Sequence, residues 1–344
     1  MTESLAAAAP SWRALGIDDV HAWARLLEAI ESADQTGEHY SAEDLLEELG
    51  DTSLDVPRDT LGAWIGDDLV GYLMVMQRAD GGAGDPLIVY LDAGVHPGHR
   101  GHGIGGRLGD RAVERAREQA READRPAVDV RANTLASDEA AARLLMRRGF
   151  EPFRFSFDMQ RDLLPGDAHA DADLVEPDLP SGWSLRVYEP SDDADLLAAH
   201  NRAFAEYPGF SRWSTGEWQQ RVSGSRNFAA GQTLVVRDEA GAVAAYLIAD
   251  EYDAHTQATG KRELYVAKLG TVPAHRGAGL GTSLLAYAIS RAAAAGYDSA
   301  GLDVDSRNPS GALAIYERAG FAVTHRWRSM RAVLHAAAAA TVQE

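Results

Sequence analysis

The sequence predicts an α/β protein made of two consecutive three-layer domains, each a sheet with helices on both faces. Three observations carry this. The chain has 344 residues, enough for two domains of about 150–165 residues. One phrase occurs twice, 176 residues apart: Arg100-Gly101-His102-Gly103-Ile104-Gly105 and Arg276-Gly277-Ala278-Gly279-Leu280-Gly281, the signature of a tandem duplication. Its surroundings repeat as well. Pro97 and Pro273 precede the Arg by three residues, apolar runs at 87–95 and 264–272 lie upstream, and each copy closes on a Gly-Phe pair, Gly149-Phe150 and Gly320-Phe321. The domains are placed at 11–163 and 181–335, with an acidic linker at 164–180, a disordered tail at 1–10 and a second tail at 336–344.

In the first half, Val20, Trp23, Leu26, Leu27 and Ile30 recur at helical spacing over 20–32. Ser41, with Asp44 three residues on, is the N-cap of a second helix. Residues 60–65 and 69–76 read as a hairpin around Gly66-Asp67-Asp68. The strand 87–95 feeds the repeated phrase, and the helix 105–120 follows it. A strand at 128–132, a helix at 137–148 and a closing strand at 153–161 complete the half. Residues 164–180 are rich in Pro, Asp, Ala and Gly without apolar periodicity, as in a linker. The order then restarts: strand 183–188, helix 195–205, a hairpin of 233–237 and 243–249 around Glu239-Ala240-Gly241, strand 263–271, helix 280–295, strand 299–304, helix 310–319 and strand 323–333. Both halves read β-α-α-β-β-β-α-β-α-β.

A strand that runs into closely spaced glycines and then a helix leaves several backbone N–H groups pointing one way. The positive end of the helix adds to them, so the turn suits a phosphate or pyrophosphate. No Gly-Lys-Ser/Thr follows, which excludes a nucleotide-triphosphate P-loop. Gly101, Gly103 and Gly106 fit G-x-G-x-x-G, but the second copy has Thr282 and Leu284 where a match would need Gly. The shared pattern is Arg-x-x-Gly-x-Gly.

That pattern resembles the acetyl-CoA pyrophosphate loop of the GNAT superfamily of N-acyltransferases. The stretches from Val95 to Gly105 and from Val272 to Gly281 are both similar to it. So is the second half's segment from Asn308 to Phe321, which resembles the family's Asn-x-x-Ala and Tyr-x-x-x-Gly-Phe elements. The tandem arrangement, Glu263-Leu264-Tyr265-Val266 and the segment from Ala203 to Pro208 are similar to the mycothiol synthase group within that superfamily. Two residues inserted between Glu263 and Pro273, and Tyr207 in place of His, depart from that group. The resemblance implies a mixed sheet splayed to admit the pantetheine arm, and acetyl-CoA as donor. It implies that Leu269, Gly270 and Thr271 at the strand end, Arg276 through Thr282, and Asn308 face the cofactor. Arg100 through Gly105 are their counterparts in the first half.

Acetyl transfer to an amine has two proton problems. The ammonium must lose a proton to become a nucleophile, and the departing thiolate must be stabilised or protonated. The tetrahedral oxyanion needs a donor, which a strand-end N–H supplies. Tyr316, four residues before Gly320, matches the family's thiolate-protonating Tyr. Glu263, ten residues before Pro273, matches the general base of the mycothiol synthase resemblance. Taken alone, Tyr316 is a helix aromatic on the core, and Glu263 is a strand-edge carboxylate paired with Arg262 or Lys261. Asp303, Asp305, Asp250 and Glu251 are alternative bases. The same counts in the first half give Leu145 and Leu87, which cannot transfer protons, and Ser137 for Asn308. The first domain is therefore expected to be catalytically degenerate. Binding acetyl-CoA idly, supporting the second domain and building part of the cleft are all open to it.

Phe204, Tyr207, Phe210, Trp213 and Trp218 gather in the second half. Core packing is their default. Pro208-Gly209 argues for a loop there, in which Tyr207, Phe210 and Trp213 form an acceptor wall. His255, read as lying in the loop before the cofactor strand, is a further acceptor-pocket candidate. No His/Asp/Glu cluster has metal spacing, and with no Cys there is no disulfide, thiolate ligand or Cys nucleophile.

The formal net charge is −19, placed as −13 in 1–165, −5 in 166–180 and −1 in the remainder. That excess argues against nucleic acid, which needs basic patches, and serves solubility or attracts a cationic amine. No apolar run approaches the ~20 residues of a membrane span, and the N-terminus lacks the pattern of a signal peptide, so a cytoplasmic location is expected. Oligomeric state is left open, a monomer being compatible. The expected activity is acetyl-CoA-dependent N-acetylation of a small primary amine in the second domain: an amino sugar, an aminoglycoside-like metabolite or the cysteinyl-inositol-glucosamine precursor of mycothiol. A non-catalytic acyl-CoA-binding protein and a peptide N-acetyltransferase are the alternatives.

Overall fold

Local sequence chemistry sets the first elements. Strand β1 (Ser11–Arg13) leads to helices α1 (Val20–Asp34) and α2 (Ala42–Leu49) and the single turn α3 (Val56–Asp59). Helix α1 buries Val20, Trp23 and Leu26 and stops at Gln35, whose φ of 51° cannot continue it. Helix α2 starts on Ser41: its Oγ accepts from the Asp44 amide (3.1 Å), and the Asp44 carboxylate accepts from the Ser41 amide (2.8 Å). Two orphan donors are thereby satisfied. Strands β2 (Thr60–Ile65), β3 (Asp68–Arg78) and β4 (Leu87–Val95) form an antiparallel meander. Helix α4 (Ile104–Glu122) crosses to β5 (Ala127–Leu135), parallel to β4, and α5 (Glu139–Met146) leads to β6 (Glu151–Asp162).

The second repeat follows the same plan. Strand β7 (Ser184–Val187), helix α6 (Asp193–Ala203), helix α7 (Thr215–Trp218) with a π-helical turn over Gln219–Ser223, β8 (Leu234–Arg237) and β9 (Val243–Asp250) come first. Helix α8 (Asp253–Thr259), β10 (Glu263–Thr271), α9 (Leu280–Ala294), β11 (Ser299–Asp305), α10 (Ala312–Arg318) and β12 (Ala322–His335) complete it.

This computed structural model describes residues 9–78, 85–164, 166–167, 179–207, 210–308 and 311–336. Most of the expected N-terminal tail, linker and C-terminal tail lies outside them. The chain divides into two compact units, Met1–Arg154 with Trp327–Glu344, and Phe155–Arg326. These bounds differ from the expected 11–163 and 181–335 because the closing strands are exchanged. In the first unit the strand order is β1-β2-β3-β4-β5-β12, with Trp327–His335 antiparallel to β5. In the second it is β7-β8-β9-β10-β11-β6, with residues 156–162 antiparallel to β11. Apolar side chains hold each borrowed strand: Met330 and Ala332 pack in the first unit's core, Met159 in the second's.

Each sheet is mixed and covered on both faces. In the first unit α4 packs on one face with Val89, Val128 and Val130, and α1 and α2 pack on the other with Trp64, Tyr72 and Met74. In the second, α9 and α10 cover Leu264, Val266 and Leu302, and α6 and α7 cover Val235, Tyr246 and Ile248. No helix of the described residues is long and apolar enough to cross a membrane.

Candidate active site

The two glycine phrases fold alike. Gly101 and Gly103 have φ of 80° and 86°, Gly277 and Gly279 of 83° and 78°. A Cβ at any of the four would meet nothing within 4 Å, so the backbone angle, not crowding, demands glycine. Gly103 and Gly279 are the N-caps of α4 and α9. The first intrahelical bond of α9 is Ser283 N–H to Gly279 O (3.0 Å), so the N–H groups of Leu280, Gly281 and Thr282 have no partner within the helix. Ala278 completes this turn, as His102 and Ile104–Gly105 complete the first.

The two loop arginines act as braces. Arg276 donates to Glu206 Oε2 (2.8 Å), to Ala203 O at the end of α6 (2.7 Å) and to Thr271 O (3.4 Å). Arg100 makes a bidentate pair with Asp34 at the end of α1 (2.6 and 2.7 Å) and donates to Val95 O (3.1 Å). Each ties its loop to the first long helix of its repeat.

Strands β10 and β11 pair only over Glu263–Tyr265 with Ser299–Gly301 and then separate. Against β9, the register of β10 slips between Val266 and Lys268, leaving Ala267 as a bulge. The Lys268 ammonium donates to the Ala267 carbonyl at 2.7 Å. In the first unit β4 pairs with β3 from Val95 to Ile88 without a slip, and with β5 over Leu87–Leu91. The bulge is legible in hindsight: Leu264, Val266 and Leu269 break the two-residue period that Leu87, Val89 and Leu91 keep.

Glu263 opens β10. Its Oε2 accepts from Gln160 Nε2 (2.5 Å) and from Ser299 Oγ (3.2 Å). It is not spent on its basic neighbours. Arg262 pairs with Glu251 (2.8 and 3.0 Å), and Lys261 lies 3.9 Å from Asp162. Glu251 is held below the usual carboxylate range by Arg262 and also accepts from the Tyr297 hydroxyl (2.5 Å). That engagement makes Glu251 an ion-pair partner. Gly301 lies beside Glu263, where a Cβ would stand 2.7 Å from Oε1.

Tyr316 sits on α10 in the core, 8% exposed, its ring 6.2 Å from that of Phe321. Burial pushes its hydroxyl up to about 12, and the Asp303 carboxylate adds to the push. Asp303 also accepts from the Tyr265 hydroxyl (3.2 Å), which burial and Asp303 hold well above the ordinary phenol value. Asp305 accepts from the Tyr207 hydroxyl (2.6 Å). Tyr265, Asp303, Asp305 and Tyr207 are thereby brought to the diverging strands, with Glu263 two residues before Tyr265 on β10 and Asp250 opposite Tyr265 on β9.

The other two acceptor-wall candidates are half-buried in an aromatic cluster that Tyr207 joins through Phe204 (centroids 6.3 and 6.0 Å), and the expected Pro208-Gly209 loop lies outside the described residues. Phe210 and Trp213 surround His200 of α6, with centroids 5.5 and 4.5 Å from its ring. Trp213 is fixed there by two hydrogen bonds to the Asn201 side chain (2.8 and 2.9 Å). His200 is 2% exposed, its Nδ1 lies 2.8 Å from the Tyr246 hydroxyl, and burial holds its pKa down at about 3, so it is neutral. His255 lies on helix α8, not in a loop; Gly260 caps that helix at φ 71°. Asn308 lies in the turn between β11 and α10, its N–H on Asp305 O (3.0 Å).

Leu269 packs on the α9 side, and Thr271 receives Arg276 on its carbonyl. A Cβ at Gly270 would lie 2.4 Å from Tyr246 Cζ, so this glycine admits a tyrosine ring. Gly94 and Tyr72 repeat the relation in the first unit, at 2.7 Å. There the Tyr72 hydroxyl donates to Asp92 (2.8 Å), whose carboxyl burial pushes up. Leu87 and Leu145 stand buried where the second unit has Glu263 and Tyr316. Sequence reasoning missed Gln160, Ser299, Gly301, the bulge and the His200–Tyr246 pair. Among the described residues no group of His, Cys, Asp and Glu could hold a metal ion.

Residues 22–150 and 196–321 match the acetyltransferase (GNAT) family. The chain is 32% identical to the mycothiol acetyltransferase of Thermobispora bispora, across 76% of this chain and 78% of that protein. It is 30% identical to the mycothiol acetyltransferase of Pseudarthrobacter chlorophenolicus, across 76% and 73%. A GCN5-related N-acetyltransferase from Sphaerobacter thermophilus has a solved structure similar to it, with a TM-score of 0.70 at 25% identity over 95% of this chain and 96% of that one. A duplicated glycine turn at a helix N-terminus, a splayed mixed sheet and these likenesses together mean that the chain belongs to the GNAT acetyltransferase family and is an N-acetyltransferase.

Proposed function

We propose that the second unit transfers the acetyl group of acetyl-CoA to the primary amine of a small metabolite, in a ternary complex without an acyl-enzyme. The observation that carries this is the asymmetry of the two cofactor strands. Strand β10 is bulged, parts early from β11 and carries Glu263, with Tyr316 on the helix that follows β11; β4 is unbulged and carries Leu87, with Leu145 at the matching position of the helix that follows β5.

The pyrophosphate rests on the amides from Gly277 to Thr282, and the pantetheine arm enters between β10 and β11. The acceptor arrives as an ammonium. Glu263 takes one proton, and the free amine attacks the thioester carbonyl carbon. Backbone N–H groups of the stretch Val266–Thr271, no longer paired with β11, stabilise the oxyanion. As the tetrahedral intermediate collapses, the C–S bond breaks and its electron pair leaves on sulfur. Tyr316, protonated at neutral pH, gives that sulfur its proton and regains one from solvent, while the new amide nitrogen sheds its extra proton. The products are the N-acetyl compound and CoA thiol.

Carboxylates at Glu263, Asp303 and Asp305, with Tyr207 at their edge, suit a cationic acceptor such as an amino sugar, an aminoglycoside-like amine or the cysteinyl-inositol-glucosamine precursor of mycothiol. The likeness to two mycothiol acetyltransferases favours the last. The test is thiol release from acetyl-CoA with glucosamine, kanamycin, the cysteinyl-inositol-glucosamine precursor and a basic peptide, with product masses recorded. A gain of one acetyl group on a small amine is expected. Acetylation of the peptide alone, or binding of acetyl-CoA without thiol release to any amine, overturns the reading.

A further inference from the structure

Glu263 is held by a residue from the other repeat's sequence. Its Oε2 accepts from Gln160 at 2.5 Å. Gln160 lies on β6, the first repeat's closing strand, which joins the second unit's sheet beside β11. Along that strand Met159 turns into the core under α9, so Gln160, its neighbour, turns to the opposite face. The register pairs Gln160 with Gly301 on β11, and Gly301 with Tyr265 on β10. Because residue 301 has no side chain, a window stays open across the middle strand; a Cβ there would lie 2.7 Å from Glu263 Oε1 and 3.1 Å from Oε2. An amide on one flanking strand thereby reaches a carboxylate on the other. Ser299 donates to the same oxygen at 3.2 Å. Both donors therefore fall on Oε2, and Oε1 has none among the described residues.

We propose that Gln160 is a positioning residue for acetyl transfer: its amide N–H, reaching across Gly301, fixes the Glu263 carboxylate so that Oε1 takes the acceptor's proton. The proposal rests on the reading of Glu263 as the base. It also gives the first repeat a definite part in the chemistry. It supplies no acid or base of its own, yet its closing strand orients the second unit's.

The test is a double-mutant cycle in the full chain, with the panel amine of fastest turnover and thiol release as the readout. Gln160→Met keeps the length and removes the donor. It is expected to lower kcat on the order of 10-fold, the scale of a hydrogen bond to a charged group, with KM for acetyl-CoA within about twofold. In a Glu263→Gln background the same change should add nothing, since the carboxylate it positions is gone. A kcat for Gln160→Met within about twofold of native, with Glu263→Gln impaired, overturns the positioning role and leaves the base assignment standing. Equal losses in both backgrounds overturn it too, because a general packing effect would act without Glu263. If Glu263→Gln alone keeps kcat within about threefold, the base assignment fails and this proposal falls with it. Should Gln160→Met fail to fold, Gln160→Asn withdraws the amide by one methylene in a polar side chain and carries the same expectations.

Discussion

Replacing Tyr316 by Phe removes one oxygen and keeps the ring in the core under α10. Burial, with a smaller push from Asp303, holds this hydroxyl at about 12, against 10.0 for an ordinary tyrosine. It therefore carries its proton through the neutral range. Loss of a general acid costs roughly 10²–10⁴-fold in rate, and kcat of Tyr316→Phe is expected to fall by that factor with little change in KM for acetyl-CoA. The same shift predicts an effect on stability that needs no substrate. In the unfolded chain the phenol ionises near 10.0, in the folded chain near 12. Between those values the unfolded state binds fewer protons, so stability falls as pH rises. The contribution is fully present below the lower value and is lost by the upper one, a change of about 2–3 kcal/mol. Tyr316→Phe lacks it, so urea unfolding should show the gap between native and variant shifting by that amount from about pH 9 to about pH 12. A kcat within about threefold of native refutes the acid role. A stability gap that stays constant across the alkaline range refutes the argument from burial.

Three further expectations follow from close contacts. Gly270→Ala drives a methyl to 2.4 Å from Cζ of the fully buried Tyr246; overpacking of this kind costs about 1–3 kcal/mol, read by urea unfolding, and adding Tyr246→Leu should return part of it. No loss of stability in Gly270→Ala would mean the ring yields freely. Asp59→Ala strips the buried Arg115 of a partner at 2.6 Å; Glu118 and Glu122 remain near it, so destabilisation is expected at the lower end of ~3–5 kcal/mol, with kcat of the folded protein unchanged. His200→Phe deletes the hydrogen bond to Tyr246 and should lower the melting temperature, the buried hydroxyl left unpaired costing about 1–3 kcal/mol; an unchanged melt would mean that the aromatic cluster alone holds α6.

Much of this was legible in the residues. Strands β4 and β10 announce themselves as apolar runs ending before Pro97 and Pro273, and the structure keeps both to 87–95 and 263–271. The α2 cap is legible because Ser41 and Asp44 act over three residues. Helix α8 is not: only Ala254 of its seven residues is buried, so no apolar stripe marks it. Strand exchange leaves no local trace. The alternation in 153–161 reads the same whichever sheet receives it, which is why Gln160 could not be linked to Glu263 across 103 positions of sequence. The packing of Phe210 and Trp213 on buried His200 is a tertiary fact that spacing does not hold.

The central claim, that chemistry belongs to the second unit, is tested most directly by turnover of Gly103→Val against Gly279→Val in the full chain. The two perturbations are matched: φ is 86° and 78°, and neither Cβ meets an atom within 4 Å, so each imposes backbone strain on the order of 1–3 kcal/mol. Gly279→Val should abolish acetyl transfer by spoiling the turn proposed to receive the pyrophosphate, while Gly103→Val should keep most of the native turnover. Comparable losses from both, with thermal melts showing both variants folded, would contradict it.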